Sequence, residues 1–391
     1  MANLMRIYGE TVEFPYHDLR TPLPPQPQLA EGLAAYRDLQ LDFSHQTLPL
    51  AERQEVLRFL RRFGEALFKA LFSADAFTQL DPRSPLLLEM GPDWAIYPWE
   101  LLYHGSTWLA LGQGVVRFTR QPVMSESPLR PAREAMRVAA LSAQPLGLQA
   151  MLAAEHAAAP RGDETPLHPR FLTRVEELLT ATGQDPLDTV AWGHARPAEL
   201  EALLAATPRA LLLSAFATAQ GWLLEEEDLG PHAVTTEWLA TRLREAVPAG
   251  LELLLLNDSD GLVHPRRAEG RAQALLDAGL PALIRLEGRL ARRREQDYTR
   301  TLLHALALGT PVLESHVGAL RRLYRRFEHS WDWSFPRLTL RSLPSWGDFV
   351  LDAPRAGERG SRQIPHVERG PARPATSWPP ARRTVLGSRA H

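Results

Sequence analysis

The chain has 391 residues, room for one large domain or two smaller ones at roughly 100–200 residues each. Its 45% hydrophobic and 23% charged residues are ordinary for a protein with a sizeable core, and a net charge of −2 gives no whole-protein reason to expect nucleic acid or an anionic membrane as partner. The absence of cysteine excludes disulfides, thiolate metal sites and a thiol nucleophile together.

The opening MANLMRIYGETVEF lacks the basic-then-apolar build of a secretory signal. No apolar run approaches the ~18 residues that span a bilayer, so the expectation is a cytoplasmic protein. Of the 44 basic residues only Lys69 is a lysine. With heavy Ala, Leu and Pro usage, this reads as the mark of a GC-rich genome rather than of a phosphate-binding surface, because acids are interspersed throughout.

In chain order, a strand is expected over Met5–Phe14, followed by a Pro-rich connection at Pro22–Gln28. Helical periodicity begins near Leu48 and carries Leu57, Leu60, Phe63, Gly64, Leu67, Phe68 and Leu71 on three- and four-residue steps. Short apolar runs at Leu86–Met90, Trp108–Leu111 and Val115–Phe118 read as strands, completing an α+β module over residues 1–125. A Pro/Ser-rich break spans Gln121–Pro131.

Beyond it the pattern alternates. Strands are expected at Arg137–Ser142, Thr189–Trp192, Ala210–Phe216, Leu251–Leu256 and Ala282–Leu286. Helices are expected between and after them, at Arg170–Ala181, Pro197–Ala206, Thr236–Ala246, Ala268–Ala278, Gln296–Leu308 and Pro311–Phe327. Apolar strands separated by helices predict an α/β unit over residues 126–350, with a mainly parallel sheet and helices on both faces. Sites in such sheets sit at the strand carboxyl ends, here at Phe216 and at Asn257-Asp258-Ser259. The segment 351–391 holds eight Arg against three acids, with many Pro and Gly, and is expected to be a flexible tail of charge +5, which leaves about −7 for the rest.

Several stretches fall in a recognisable order: FGEALFKALF at Phe63–Phe72, YPWELLY at Tyr97–Tyr103 with WLAL at Trp108–Leu111, Met136–Leu148, AQALLDAGLPALI at Ala272–Ile284, and Leu303–Arg326 with Gly309-Thr310-Pro311-Val312. Together they resemble a CHAT domain, the caspase-like peptidase fold of prokaryotic effector proteins, in the clan of caspases and separases. The resemblance covers about residues 50–345. It implies a caspase-like mainly parallel sheet preceded by an α+β CHAT N-terminal module.

At the catalytic elements the chain departs from that pattern. Where the family has Ser-Gly-His-Gly, this sequence has Ser214-Ala215-Phe216-Ala217, and where the family has Leu-Asn-Ala-Cys it has Leu256-Asn257-Asp258-Ser259. A hydroxyl attacks a peptide only when a base takes its proton, and Phe216 is no base. Losing the base of a triad-type site costs on the order of 10⁶-fold in rate in one serine protease. His194, His232 and His264 are the other imidazoles to weigh; His194 follows the preceding strand, and His264 is awkwardly placed five residues after Ser259 on one loop. No HExxH motif or other close His pairing points to a metal, and no cofactor is expected.

Glu225-Glu226-Glu227-Asp228 after Trp222, with Asp258 and Asp260 flanking Ser259, form a candidate acidic groove for an Arg-containing peptide. The plainer alternative is a solvated turn. The resulting expectation is a non-catalytic, CHAT-like pseudopeptidase that binds a protein partner, either an active protease or a sensor, as its regulator or scaffold in prokaryotic defence or signalling. Two alternatives stand beside it: a peptidase using Ser259, and an adaptor or protease substrate acting through the Arg-rich tail.

Overall fold

Runs such as Ala210–Ser214 and Leu253–Asn257 carry apolar side chains at both odd and even positions, which only burial on both faces can satisfy. The computed structural model meets that demand. It describes residues 3–23, 27–41, 49–118, 136–143, 145–146, 187–192, 195–218, 220–257, 265–287, 290, 292–327 and 330–341, all within the unit Met1–Pro354. Ala140, Ala210, Leu212, Leu253, Leu255 and Ile284 join one core. Their neighbours Ala139, Leu141, Leu211, Leu213, Leu254, Leu256 and Leu283 join a second.

The N-terminal elements are β1 (Asn3–Tyr8), β2 (Thr11–Phe14), β3 (Leu19–Pro22), α1 (Pro27–Leu41), α2 (Leu50–Leu71), α3 (Ala74–Thr78), β4 (Leu86–Met90) and α4 (Pro92–Ala95). A 3-10 turn at Trp99–Leu101 leads to β5 (Tyr103–His104), β6 (Thr107–Trp108), α5 (Leu109–Gly112) and β7 (Val115–Phe118). Next come β8 (Met136–Ser142), β9 (Leu187–Trp192), α6 (Pro197–Ala205), β10 (Ala210–Ser214), β11 (Phe216–Ala217), β12 (Gly221–Glu225), β13 (Pro231–Thr235) and α7 (Thr236–Ala249). The last are β14 (Leu253–Asn257), α8 (Pro265–Asp277), β15 (Ala282–Leu286), α9 (Arg292–Ala307), α10 (Val312–Arg326) and β16 (Pro336–Leu340).

Eleven strands form one sheet in the order β3-β2-β1-β4-β7-β16-β15-β14-β10-β8-β9. Strands β15, β14, β10, β8 and β9 run parallel to one another, as do β1, β4, β7 and β16. The two blocks run in opposite directions and meet at the antiparallel pair β15–β16. Helices α6, α7 and α8 cover one face through Leu200, Leu203, Leu239, Leu243, Leu275 and Leu276. Helices α1, α2, α9 and α10 cover the other through Tyr36, Leu60, Leu67, Leu302, Leu306 and Leu320. The mainly parallel α/β sheet with helices on both faces is therefore the observed architecture.

Four expectations change. The single strand over Met5–Phe14 is a hairpin, β1–β2, because Gly9 takes a φ of +56° at the turn. The Pro-rich connection at Pro22–Gln28 gives way to α1 from Pro27 onward, since proline is tolerated in a first helical turn. Of Trp108–Leu111 only Trp108 is extended; Leu109 starts the short α5. The strand expected over Ala210–Phe216 ends at Ser214, and Phe216 opens a separate three-stranded antiparallel sheet, β11-β12-β13. The expected helix at Arg170–Ala181, the break at Gln121–Pro131 and the tail 351–391 lie outside the described residues. So does the boundary expected near residue 125, while strands from both sides of it share the large sheet.

Candidate functional site

Four parallel strands end level with one another. Ser142 of β8 pairs with Ser214 of β10, Ser214 with Asn257 of β14, and Asn257 with Leu286 of β15. All four lie one residue beyond a member of the α6–α8 core, or beside one of the other core, so their side chains share the α1/α9/α10 face. The hydroxyls of Ser142 and Ser214 are buried, and neither has a hydrogen-bond partner among the described residues. This polar ledge is where an open α/β sheet places its chemistry.

Phe216 lies two residues past that ledge, with a side chain only 6% exposed. Its backbone pairs with Leu223 of β12. Next in the chain, Gly221 allows β12 to approach β13 closely: a Cβ there would come within 2.0 Å of the Val234 carbonyl oxygen. Thr218 braces the turn from β11 to β12, accepting from the Gly221 amide at 3.2 Å through Oγ1. The Phe216 ring is thus buried at the start of the small sheet. Ser259, Asp258, Asp260 and His264 follow β14 but lie outside the described residues, as does His194.

The acidic run sits at the β12–β13 hairpin. Glu225 ends β12 and is buried, whereas Glu226, Glu227 and Asp228 are exposed at the tip. Asp228 accepts from the Gly230 amide at 2.9 Å, which fixes the tip. The Glu225 amide donates to the Ala195 carbonyl at 2.8 Å, bringing the hairpin against the start of α6. Between them lies a hollow of about 650 Å³ lined by Arg196, Glu199, Glu225–Asp228 and His232. Arg196 pairs with Glu199 inside it, and His232 Nδ1 stands 3.5 Å from Glu226 Oε1. The four acids of the run are therefore brought together with a fifth, Glu199, that the sequence reading did not single out. Their relation to Asp258 and Asp260 lies outside the described residues.

A second charged group was not anticipated at all. On the α6–α8 face the apolar surface stops at β15, where Arg285, Arg337 of β16 and Arg117 of β7 stand on neighbouring strands. Arg285 is 0% exposed. Three carboxylates answer them. Glu100 holds Arg117 in a two-pronged pair, with both contacts at 2.9 Å. Glu269 of α8 reaches Arg285 at 2.6 Å, and Glu287 lies 3.1 Å from Arg285 and 2.9 Å from Arg337. Burial would raise the Glu100 carboxyl, but Arg117 and Arg337 outweigh it and hold the group below its ordinary range. Glu269 is likewise held low against burial by Arg285, Arg117 and Arg337. Burial pushes Glu287 up, against the pull of Arg337 and Arg285. This network is buried except at Glu269, whose side chain is 15% exposed, and it joins the two strand blocks. The available signal was an arginine inside each of two otherwise apolar strands, β7 and β15, because a charge is buried only when paired.

A third buried pair lies between α9 and α10. Tyr298 Oη and His316 Nδ1 are 2.7 Å apart, and His316 Nε2 has no partner among the described residues. Burial lowers the His316 pKa from 6.5 to about 4, so the ring is neutral in the fold at neutral pH. Between those values the unfolded chain binds the extra proton. The stability contributed by neutral His316 is complete above about pH 6.5 and is lost as pH falls toward 4, by on the order of 3 kcal/mol in full. Urea unfolding at pH 7 and pH 5 should show this fall in the wild type and a flatter profile in His316→Gln. Equal slopes would contradict it.

Among the described residues no group of His, Asp and Glu is placed to hold a metal ion, and no helix is long and apolar enough to cross a membrane. Compared with known proteins, the chain matches no family model and no curated protein. Among solved structures it is similar to the Arg-specific cysteine proteinase gingipain R, at 8% identity over 89% of this chain and 78% of that one, with a TM-score of 0.39.

Proposed function

We propose that this chain is a protein of the caspase-like peptidase fold that acts by binding rather than by hydrolysis: a CHAT-like pseudopeptidase serving as regulator or scaffold for a protein partner in prokaryotic defence or signalling. One observation carries the non-catalytic part. Phe216, where the resemblance puts the base, is a buried ring held in the β11–β12 pairing. The described histidines offer no substitute near Ser214 and Asn257. His104 stacks on Phe68, His316 is sealed against Tyr298, His232 faces Glu226, and His17 and His304 lie in the β2–β3 turn and α9. The binding surface in this reading is the hairpin hollow, whose carboxylates favour guanidinium groups.

The test is chemical. Wild-type protein should resist a serine-reactive fluorophosphonate probe and leave Arg-containing fluorogenic peptides uncut. Phe216→His combined with Ser259→Cys should be at most weakly active, since a misplacement of ~1 Å can cost about 100-fold. Hydrolysis by the wild type that disappears in Ser259→Ala would instead establish an active peptidase.

A further inference from the structure

The sequence VLESHVGALRRLYRR of α10 divides cleanly around its axis. Val312, His316, Ala319, Leu320 and Leu323 are buried, while Arg321, Arg322, Arg325 and Arg326 line an open hollow of about 490 Å³ with Gly318 at its floor. A Cβ on Gly318 would meet nothing within 4 Å, so the floor is clear. Three of the guanidinium groups are held in place. Arg321 donates from Nε to the Leu111 carbonyl at 2.6 Å and from Nη2 to that of Gly112. Arg326 pairs with Asp297 of α9, and Arg322 lies 3.7 Å from the same carboxylate. Arg325 is exposed at the rim of the hollow.

Backbone carbonyls fix a guanidinium without cancelling its charge, and one carboxylate is shared between two others. Four arginines against the one carboxylate of Asp297 leave the groove a charge of about +3, and the three that are held lose little freedom when they bind. What fits it is a small, rigid, convex set of carboxylates. The hairpin tip of this same chain has that form, with Glu226, Glu227 and Asp228 exposed on a turn closed by the Gly230–Asp228 hydrogen bond.

The hollow beside the tip is complementary in return. It is acidic, with Glu199 in its wall beside Glu225–Asp228. Within one molecule the two surfaces cannot meet. Trp222, Leu224 and Val234 of the hairpin belong to the core on one face of the sheet, and Leu320 and Leu323 of α10 to the core on the other.

We infer that the arginine groove of α10 docks the acidic hairpin of a second copy of this chain. The two patches differ, so the contact is head-to-tail and leads to a ring or a filament rather than a closed pair. The inference rests on the hairpin hollow being a binding surface.

Sedimentation velocity of the full chain tests it. Wild type should associate at about 0.05 M salt and come apart at about 0.5 M, because partly exposed charges are screened. Glu226→Arg with Glu227→Arg, and separately Arg322→Glu with Arg325→Glu, should each weaken association about tenfold or more, since like charges then face each other. Mixing the two variants should restore association, because each supplies the sign the other now needs. Circular dichroism confirms that both remain folded. Wild type that stays monomeric at low salt, or folded variants whose mixture fails to associate, overturns the inference. A labelled triarginine peptide separates the two readings. If it binds wild type and not the Glu226/Glu227 variant while the chain stays monomeric, the hollow binds basic ligands and self-docking is wrong.

Discussion

Replacing Arg117 with alanine should lower the unfolding free energy by about 3–5 kcal/mol, among the largest losses any single substitution in this chain will produce. The side chain is buried, paired twice with Glu100, and donates to the carbonyls of Ala95 and Tyr97. Removing it leaves Glu100 with Arg337 alone, at 3.8 Å, and weakens the field that keeps Glu269 ionised. The cost is that of a buried, under-compensated carboxylate, which far exceeds the net worth of the intact pair. Substituting both partners, Arg117→Met with Glu100→Leu, should therefore recover much of the loss. The pH dependence has a definite sign. Glu100 and Glu269 sit below the ordinary carboxyl value of 4.5, so their contribution is present above that pH and is lost as pH falls through their folded values. Urea unfolding at neutral pH decides the matter; a loss under about 1 kcal/mol for Arg117→Ala would mean that the network bears little of the fold.

Gly64→Ala should destabilise the protein by about 1–3 kcal/mol, although the same change in a free helix would stabilise it by about 1 kcal/mol. Two effects compete in the middle of α2. Propensity favours alanine, but a Cβ at this position would stand 2.1 Å from the Leu101 carbonyl oxygen and 3.1 Å from the Trp108 ring. A backbone oxygen cannot swing aside as a side chain can, so α2 and the Trp99–Leu101 turn must separate. Gly270→Ala on α8 is the control, since its Cβ would meet nothing within 4 Å. There propensity acts alone, and a gain of about 0.5–1 kcal/mol is expected. Opposite signs in thermal unfolding would support the close approach. A gain at Gly64 would refute it.

Most of the architecture was legible because its signals are local. The Leu-rich runs at β10, β14 and β15, and the three- and four-residue spacing of α2 and α10, state which faces are buried without reference to partners. The strands missed have little of that signal. β16, PRLTL, opens with proline and alternates arginine and threonine with leucine, as a half-exposed edge strand would. It is in fact buried throughout, between β7 and β15. The hairpin β11–β12–β13 was hidden because its residues follow β10 with only Ala215 between.

Local sequence was enough for the alternation of strands and helices, the two-sided burial of the central strands and the lack of any thiol chemistry. Chain folding was needed to bring two strand blocks of opposite direction together at β15–β16, and to converge Glu100, Glu269 and Glu287 on three arginines from distant strands. It also set the acidic run in one hollow with Arg196 and Glu199 at the start of α6. The difference is one of range. Periodicity is a property of a few neighbouring residues and is written in them, whereas the partner of a buried charge is set by strand order and register between segments far apart in the chain.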